Sequence, residues 1–499
     1  MKSMKMFPGY LVSHRPRTRI SLQLSSNSHE HPLFPGPLDN NDLEIFALPN
    51  EIFCAIFLFA RDLSMSEPNI LNLKELPTEV KISHVCRLWR SIAINFPVLW
   101  NTFRYGLPKS STIGVSGRLG AYLERSDRQL LDFWLNFRGD RHRKHSNNHS
   151  EMFRVILTHV DRWRRFTLLV DVDDRRSIED YCRDFKDIHP VNLEHFAFCP
   201  QVNAWGRQDT FLSPKIFKNG AGKLVSVRLE TNSYGVCVPP LSNLTTLRIE
   251  RSLSKDAHIQ KTSTILPLLA IPSLENLSLS GFGHGEYVDT TIKKPIVMKN
   301  LRDLRCGTGR VVKLLSFIEA PRLHTLTLKD VCFPHLRPNA TPLLTTLILC
   351  NCSVSWTAFA EELSHIGNQI QHLTVSEASE GTFHLHALTE FAEGGWPRLR
   401  TLRCNLQRIT RMELYTQVAI SRLGAENPFS MYVHGNLLSM WEERSPDILS
   451  QLHALCDLRS WDDESPLIPR HWPYRDDRAE HPYDKADYDY HSFRVFSYH

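Results

Sequence analysis

Between Trp163 and Cys404 the chain writes one phrase, apolar-x-x-apolar-x-apolar, ten times in order. The copies are WRRFTL at Trp163, LEHFAF at Leu193, LVSVRL at Leu224, LTTLRI at Leu244 and LENLSL at Leu274. They continue with LRDLRC at Leu301, LHTLTL at Leu323, LLTTLIL at Leu343, IQHLTV at Ile370 and LRTLRC at Leu399. Tight steps are 20 residues from Leu224 to Leu244 and 22 from Leu301 to Leu323; Leu193 to Leu224 takes 31. One such unit cannot bury its own three apolar side chains. A stack of units can, at ~1.5–3 kcal/mol for each Leu or Ile withdrawn from water. The chain is therefore expected to build a stacked array, one short strand and one return segment per unit, stabilised unit by unit and neighbour by neighbour. The expected class is an α/β solenoid with parallel strands. Its longer steps leave room for return helices such as KKPIVMKNL and WTAFAEELSHI.

Alternation along each strand turns the intervening residues to the other face. They are Arg228 and Glu230, Arg248 and Glu250, Asp303 and Arg305, Thr327 and Lys329, His372 and Thr374, Thr401 and Arg403. The array resembles leucine-rich repeat proteins. Several copies follow a proline (IPSL, APRL, TPLL, WPRL), and Leu344 to Cys352 extends to L-x-x-L-x-L-x-x-C. Leu224 to Asn232 ends in Asn at that same place, whereas the other copies lack the Asn or Cys. The resemblance implies an irregular leucine-rich-repeat horseshoe whose concave face is extended and suited to binding. Target-binding candidates on it are Arg228, Glu230, Arg248, Glu250, Arg305, Lys329 and Arg403.

Ahead of the repeats, ALPNEIFCAIFLFARDL reads as a helix with Pro49 in its first turn. Ile52, Ile56 and Phe59 line one face and Phe53 and Phe57 another, so this helix needs cover on two sides. In SHVCRLWRSIAINFPVLWNTF, Val85, Leu88, Trp89 and Ile92 follow helical spacing, and Pro97 stops that helix and opens a short third one carrying Leu99, Trp100 and Phe103. Three short helices hold more bulky apolar surface than so small a core can hide, which marks a partner site. The segment resembles an F-box: Leu48-Pro49, Glu51-Ile52, Ile56-Phe57, then Val85-Cys86-Arg87, Trp89 and Leu99-Trp100. The stretch between Ala60 and Ser83 is longer than in the compact motif, an arrangement similar to F-box proteins of mushroom-forming fungi. The resemblance implies docking on a Skp-type adaptor, and through it a cullin, by Leu48, Pro49, Ile52, Ile56, Phe57, Val85, Trp89, Leu99 and Trp100.

Nothing else in the chain argues for chemistry. The net charge of +5 over 499 residues gives no case for nucleic acid. No apolar run approaches the ~20 residues that cross a bilayer. The eleven cysteines are scattered, without a CxxC pair, and point to a reducing compartment. His142, His145 and His149 have ligand-like spacing but stand among Arg141, Arg143 and Lys144, which repel a metal. Asp171, Asp173 and Asp174 follow the FTLLV stretch and read as a loop after a repeat strand. GFGHG at Gly281 has no Lys following as a phosphate cradle requires. No catalytic constellation, metal or cofactor is expected.

The expected organisation is a disordered tail over 1–45, an F-box over 46–104 and a helical linker over 105–158, with helices near Leu119–Arg125 and Met152–Val160. Repeats follow over 159–410, then a C-terminal cap over 411–461 and a mobile tail over 462–499. The whole reads as the substrate-recognition subunit of an SCF-type ubiquitin ligase, cytoplasmic or nuclear, binding a target protein without catalysing anything itself. The alternative is a repeat scaffold or sensor that binds the adaptor and ubiquitinates nothing.

Overall fold

The computed structural model describes residues 44–66, 76–105, 115–137, 146–171, 178–201, 214–230, 237–250, 266–282, 295–329, 340–350, 352, 366–377, 383–406, 412–424 and 428–461. The chain divides into two units, Met1–Pro49 and Asn50–His499. In the first, the described residues form a single 3-10 turn, Glu44–Ala47, followed by exposed Leu48.

The second unit opens with three helices, α1 (Asn50–Ser66), α2 (Thr78–Ser83) and α3 (Arg87–Ile94), and a 3-10 turn, Pro97–Trp100. Strands then accumulate in chain order, with α4 (Val115–Arg125), α5 (Ser146–Leu157) and α6 (Ile178–Lys186) among the first of them. The strands are β1 (Thr102–Tyr105), β2 (Leu131–Asn136), β3 (Trp163–Asp171), β4 (His195–Gln201), β5 (Ser226–Glu230), β6 (Thr246–Glu250), β7 (Asn276–Phe282), β8 (Ile296–Val297), β9 (Asp303–Gly309) and β10 (Ile318–Glu319). They continue as β11 (Thr325–Lys329), β12 (Thr346–Cys350), β13 (His372–Glu377), β14 (Thr401–Leu406), β15 (Ser430–His434) and β16 (Asp457–Trp461). Fourteen of them form one open parallel sheet in which each strand pairs with its predecessor and successor; β8 and β10 pair separately.

One register row explains the sheet. It runs Phe103, Phe133, Phe166, Phe196, Val227, Leu247, Leu277, Leu304, Leu326, Leu347, Leu373, Leu402, Met431, Leu458, and all of these are buried on one face. The middle apolar residue of each sequence copy thus lands beside that of the next. Between rungs, the Asn preceding a repeat leucine ties back to the previous unit. Asn192, Asn243 and Asn300 donate through Nδ2 to the carbonyls of Asp161, Gly222 and Pro272, at 2.8, 2.8 and 2.9 Å.

The sheet is longer than the repeat span 159–410. It takes in β1, at the end of the stretch 46–104 expected as an F-box, β2, inside the expected helical linker 105–158, and β15 and β16 within 411–461. Both expected linker helices are present as α4 and α5, but α5 runs from Ser146 to Leu157, starting and ending ahead of the expected Met152–Val160. Phe103 belongs to β1 rather than to a third helix.

Candidate functional site

The first surface is built by α1 to α3. Inside, Phe53 and Phe57 are fully buried and meet the half-buried ring of Trp89 at centroid distances of 5.9 and 5.1 Å. Cys86 starts α3, its Sγ accepting from the Trp89 backbone N–H at 3.4 Å. Trp100 turns inward too. Its Nε1 donates to the Ala93 carbonyl at 2.7 Å, its ring meets Tyr122 edge-on at 5.2 Å, and the Arg125 guanidinium lies 4.4 Å above it. A buried polar knot finishes the seam to the sheet. The Tyr122 hydroxyl donates to Glu79, and Arg61 reaches the Val98 carbonyl at 2.8 Å and Asn101 Oδ1 at 3.3 Å. Burial, then Glu79, pushes the Tyr122 phenol well above its ordinary value.

Three of the proposed adaptor contacts must therefore be corrected. Phe57, Leu99 and Trp100 are enclosed by the chain itself and have no surface to offer. Trp89 is half-buried and holds the helices together. The other stripe of α1 stays bare, with Ile52 46%, Ile56 39% and Phe59 66% exposed. So do Val85 at 60%, Leu88, Ile94 and Leu76. Residues at i, i+4 and i+7 share one side of a helix, so Ile52, Ile56 and Phe59 form a continuous strip. Leu48 is exposed in the first unit, as is Pro49.

The second surface is the polar face of the sheet. One of its rows runs Arg104, Trp134, Thr167, Ala197, Arg228, Arg248, Ser278, Arg305, Thr327, Ile348, Thr374, Arg403, Tyr432, Arg459. The face changes character along this row. At its start Trp134, Leu169 and Cys199 make a small buried apolar cluster. In the middle Arg228, Glu230, Arg248 and Arg305 are buried and engaged in interactions within the chain, which corrects their assignment as an open target-binding row. Lys329 is half-buried and also engaged. The Glu250 side chain lies outside the described residues. Toward the end the charged groups surface: Arg403 and Tyr432 are half-buried, and Arg459 is exposed.

His195 shows how the buried middle responds to acid. Its Nδ1 sits 3.3 Å from Ser226 Oγ. Burial first, then Arg165, Arg248 and Arg228, hold its imidazolium well below the ordinary value of about 6.5. The unfolded chain takes up a proton there that the folded chain refuses, so this contribution is intact above about pH 6.5 and is lost as pH falls. Urea titrations at stepped pH should show stability falling by up to ~1.4 kcal/mol per pH unit below that point. His195→Gln should remove this component of the slope; an unchanged slope would place the acid response elsewhere.

Of the motifs set aside, His149 is buried on α5, stacked on Phe137 at 4.3 Å and 3.1 Å from the Tyr105 hydroxyl; His142 and His145 lie outside the described residues. Among the described residues no three His, Cys, Asp or Glu side chains are grouped to hold a metal ion, and no helix is long and apolar enough to cross a membrane. The cysteines were expected to be those of a reducing compartment, and one finding counts against that reading: Cys182 and Cys237 are joined in a disulfide. In comparisons with known proteins, no family model matches the chain and no curated protein matches it.

Proposed function

We propose that this chain is an F-box protein with leucine-rich repeats, the substrate-recognition subunit of an SCF-type ubiquitin ligase. The observation that carries the reading is the bare strip Ile52, Ile56 and Phe59 with Val85 and Leu88, on helices whose own core is already filled by Phe53, Phe57 and Trp89. Large apolar groups left exposed beside a complete core mark a surface that a second polypeptide covers. In this reading a Skp-type adaptor covers it and bridges to a cullin, and the repeat sheet holds a target protein. The chain makes and breaks no bonds. It raises the effective concentration of a target lysine near a separate ubiquitin-carrying enzyme.

Co-purification of the full chain with a Skp-type adaptor tests this. Ile52→Asp with Val85→Asp should abolish capture and leave the thermal midpoint of the chain unchanged, because both side chains are exposed. Capture that survives the double substitution removes the ligase reading. Trp89→Asp is not a clean test, because it would disrupt the Phe53–Phe57–Trp89 packing.

A further inference from the structure

We propose that the end of the polar sheet face, at Arg403, Tyr432 and Arg459, binds an acidic peptide segment of a partner protein. The proposal rests on the reading of that face as the target-holding surface and narrows it to three strands and one ligand chemistry.

Three observations converge. First, the row is closed along most of its length. Its arginines at 228, 248 and 305 are buried and engaged, whereas from β14 onward its charged groups reach solvent. Second, the register puts Arg403, Tyr432 and Arg459 side by side on β14, β15 and β16. Their side chains stack: the Arg403 guanidinium lies 4.7 Å and that of Arg459 5.9 Å from the Tyr432 ring centroid. The phenol ring fixes two planar forks whose donors suit carboxylates. Third, the local charge is positive. Arg400 and Arg403 have no acidic partner among the described residues, and the only described carboxylate in the two rows here, Asp457, is already bonded by Arg459 (2.8 Å) and Ser430 (3.3 Å). Desolvation, then Arg400 and Arg403, also lower the His372 imidazolium, which reports the same positive potential from the neighbouring strand.

Chemistry and spacing favour an acidic peptide. Strands lie ~4.8 Å apart, so Arg403 and Arg459 are two strand spacings, ~10 Å, apart across Tyr432. An extended peptide rises ~3.3 Å per residue and turns alternate side chains to one face, so its same-face carboxylates at i and i+2 stand ~6.6 Å apart, within reach of two guanidinium groups that both lean over the Tyr432 ring. The Arg459–Asp457 pair is solvent-exposed, with side chains 60% and 41% accessible. Solvent weakens an exposed pair, but this one is two-pronged, with Arg459 Nε also 3.1 Å from Asp457 Oδ1, so a partner carboxylate competes with Asp457 for Arg459 and meets Arg403 with no acidic competitor among the described residues. A nucleic acid would call for a longer unbroken basic track than two uncompensated arginines.

The test uses the full chain and a short fluorescein-labelled peptide rich in Glu and Asp, read by fluorescence anisotropy. Binding is expected at low salt, should weaken as salt rises, and should fall by about tenfold in Arg403→Ser with Arg459→Ser at an unchanged thermal midpoint. Tyr432→Leu should weaken it while leaving both charges. No binding, or equal binding by the double variant, overturns the proposal. So does tighter binding of a single-stranded RNA of similar length. Residues 462–499, which follow β16, carry nine Asp and Glu against five Lys and Arg. Should the peptide bind only after those nine are changed to amides, the occupant is the chain's own segment and the proposal falls. The Ile52→Asp, Val85→Asp chain should bind the peptide as the wild type does. Loss of adaptor capture and loss of peptide binding therefore fail separately.

Discussion

Phe185→Ala is expected to cost the fold about 3–5 kcal/mol. Phe185 sits on α6 with no solvent exposure. Its ring centroid lies 5.5 Å from Phe153, 6.5 Å from Trp163, 5.7 Å from Phe166, 5.4 Å from Phe196, 6.0 Å from Phe198 and 5.8 Å from Phe217. Most of these contacts are edge-on, the arrangement in which aromatic pairs add to their burial. The six neighbours come from α5, β3, β4 and the segment before β5, so the ring joins several consecutive layers at once. In a stacked array each layer depends on its neighbours, and the loss is expected to propagate from here toward both ends. Urea unfolding followed by far-UV circular dichroism measures it. Phe185→Leu keeps most of the volume and should cost less than about 1.5 kcal/mol. A Phe185→Ala change under about 1 kcal/mol would mean that this aromatic cluster is not close-packed.

The same cluster shows what could be read from the sequence. From Leu247 to Leu402 the register row is leucine after leucine, and the phrase marks each strand directly. Toward the front the row continues with Phe103, Phe133, Phe166 and Phe196. Leu130 to Leu135, LLDFWL, fits the phrase ahead of the ten copies, whereas Trp100 to Tyr105, WNTFRY, opens on Trp and escapes a search keyed to Leu. At the other end Pro428 to Val433, PFSMYV, opens on Pro, and Leu455 to Ser460, LCDLRS, ends on Ser, so β15 and β16 depart from the phrase.

Side-chain fate was harder to read than strand position. Period-two alternation tells which face Arg228 and Arg248 take, and not whether that face is covered. Likewise α1 has two apolar stripes in its sequence. Nothing local says that Phe53 and Phe57 go in while Ile52, Ile56 and Phe59 stay out. That choice depends on where Trp89 arrives, more than thirty residues later. Trp100 was read as excess bulk for a small helical core. Its cover comes from α4, a part of the chain that the small core does not include.

The disulfide is the feature least visible in sequence, because its halves are 55 residues apart and belong to no pattern. It yields the second large expected effect. Cys182 lies on α6 and Cys237 ahead of β6, with Cα atoms 5.8 Å apart. The backbone around them is already laced. Phe217 and Lys218 donate to the carbonyls of Phe185 and Lys186, both at 2.9 Å, and Lys215 donates to that of Val238 at 2.7 Å. The bridge therefore adds little order to the folded state and acts chiefly on the unfolded one. Closing a loop of this length removes chain entropy worth about 4 kcal/mol. Reduction should lower the urea midpoint by a corresponding amount, and Cys182→Ser with Cys237→Ser should be equally destabilised and blind to reductant. Alkylation should find two more thiols in the reduced chain after unfolding. In the native chain Cys306 and Cys404 should stay unlabelled, since burial pushes both thiols up to about 12. A wild-type chain whose stability ignores reductant would show that the two sulfurs stand close without the bond contributing to the fold.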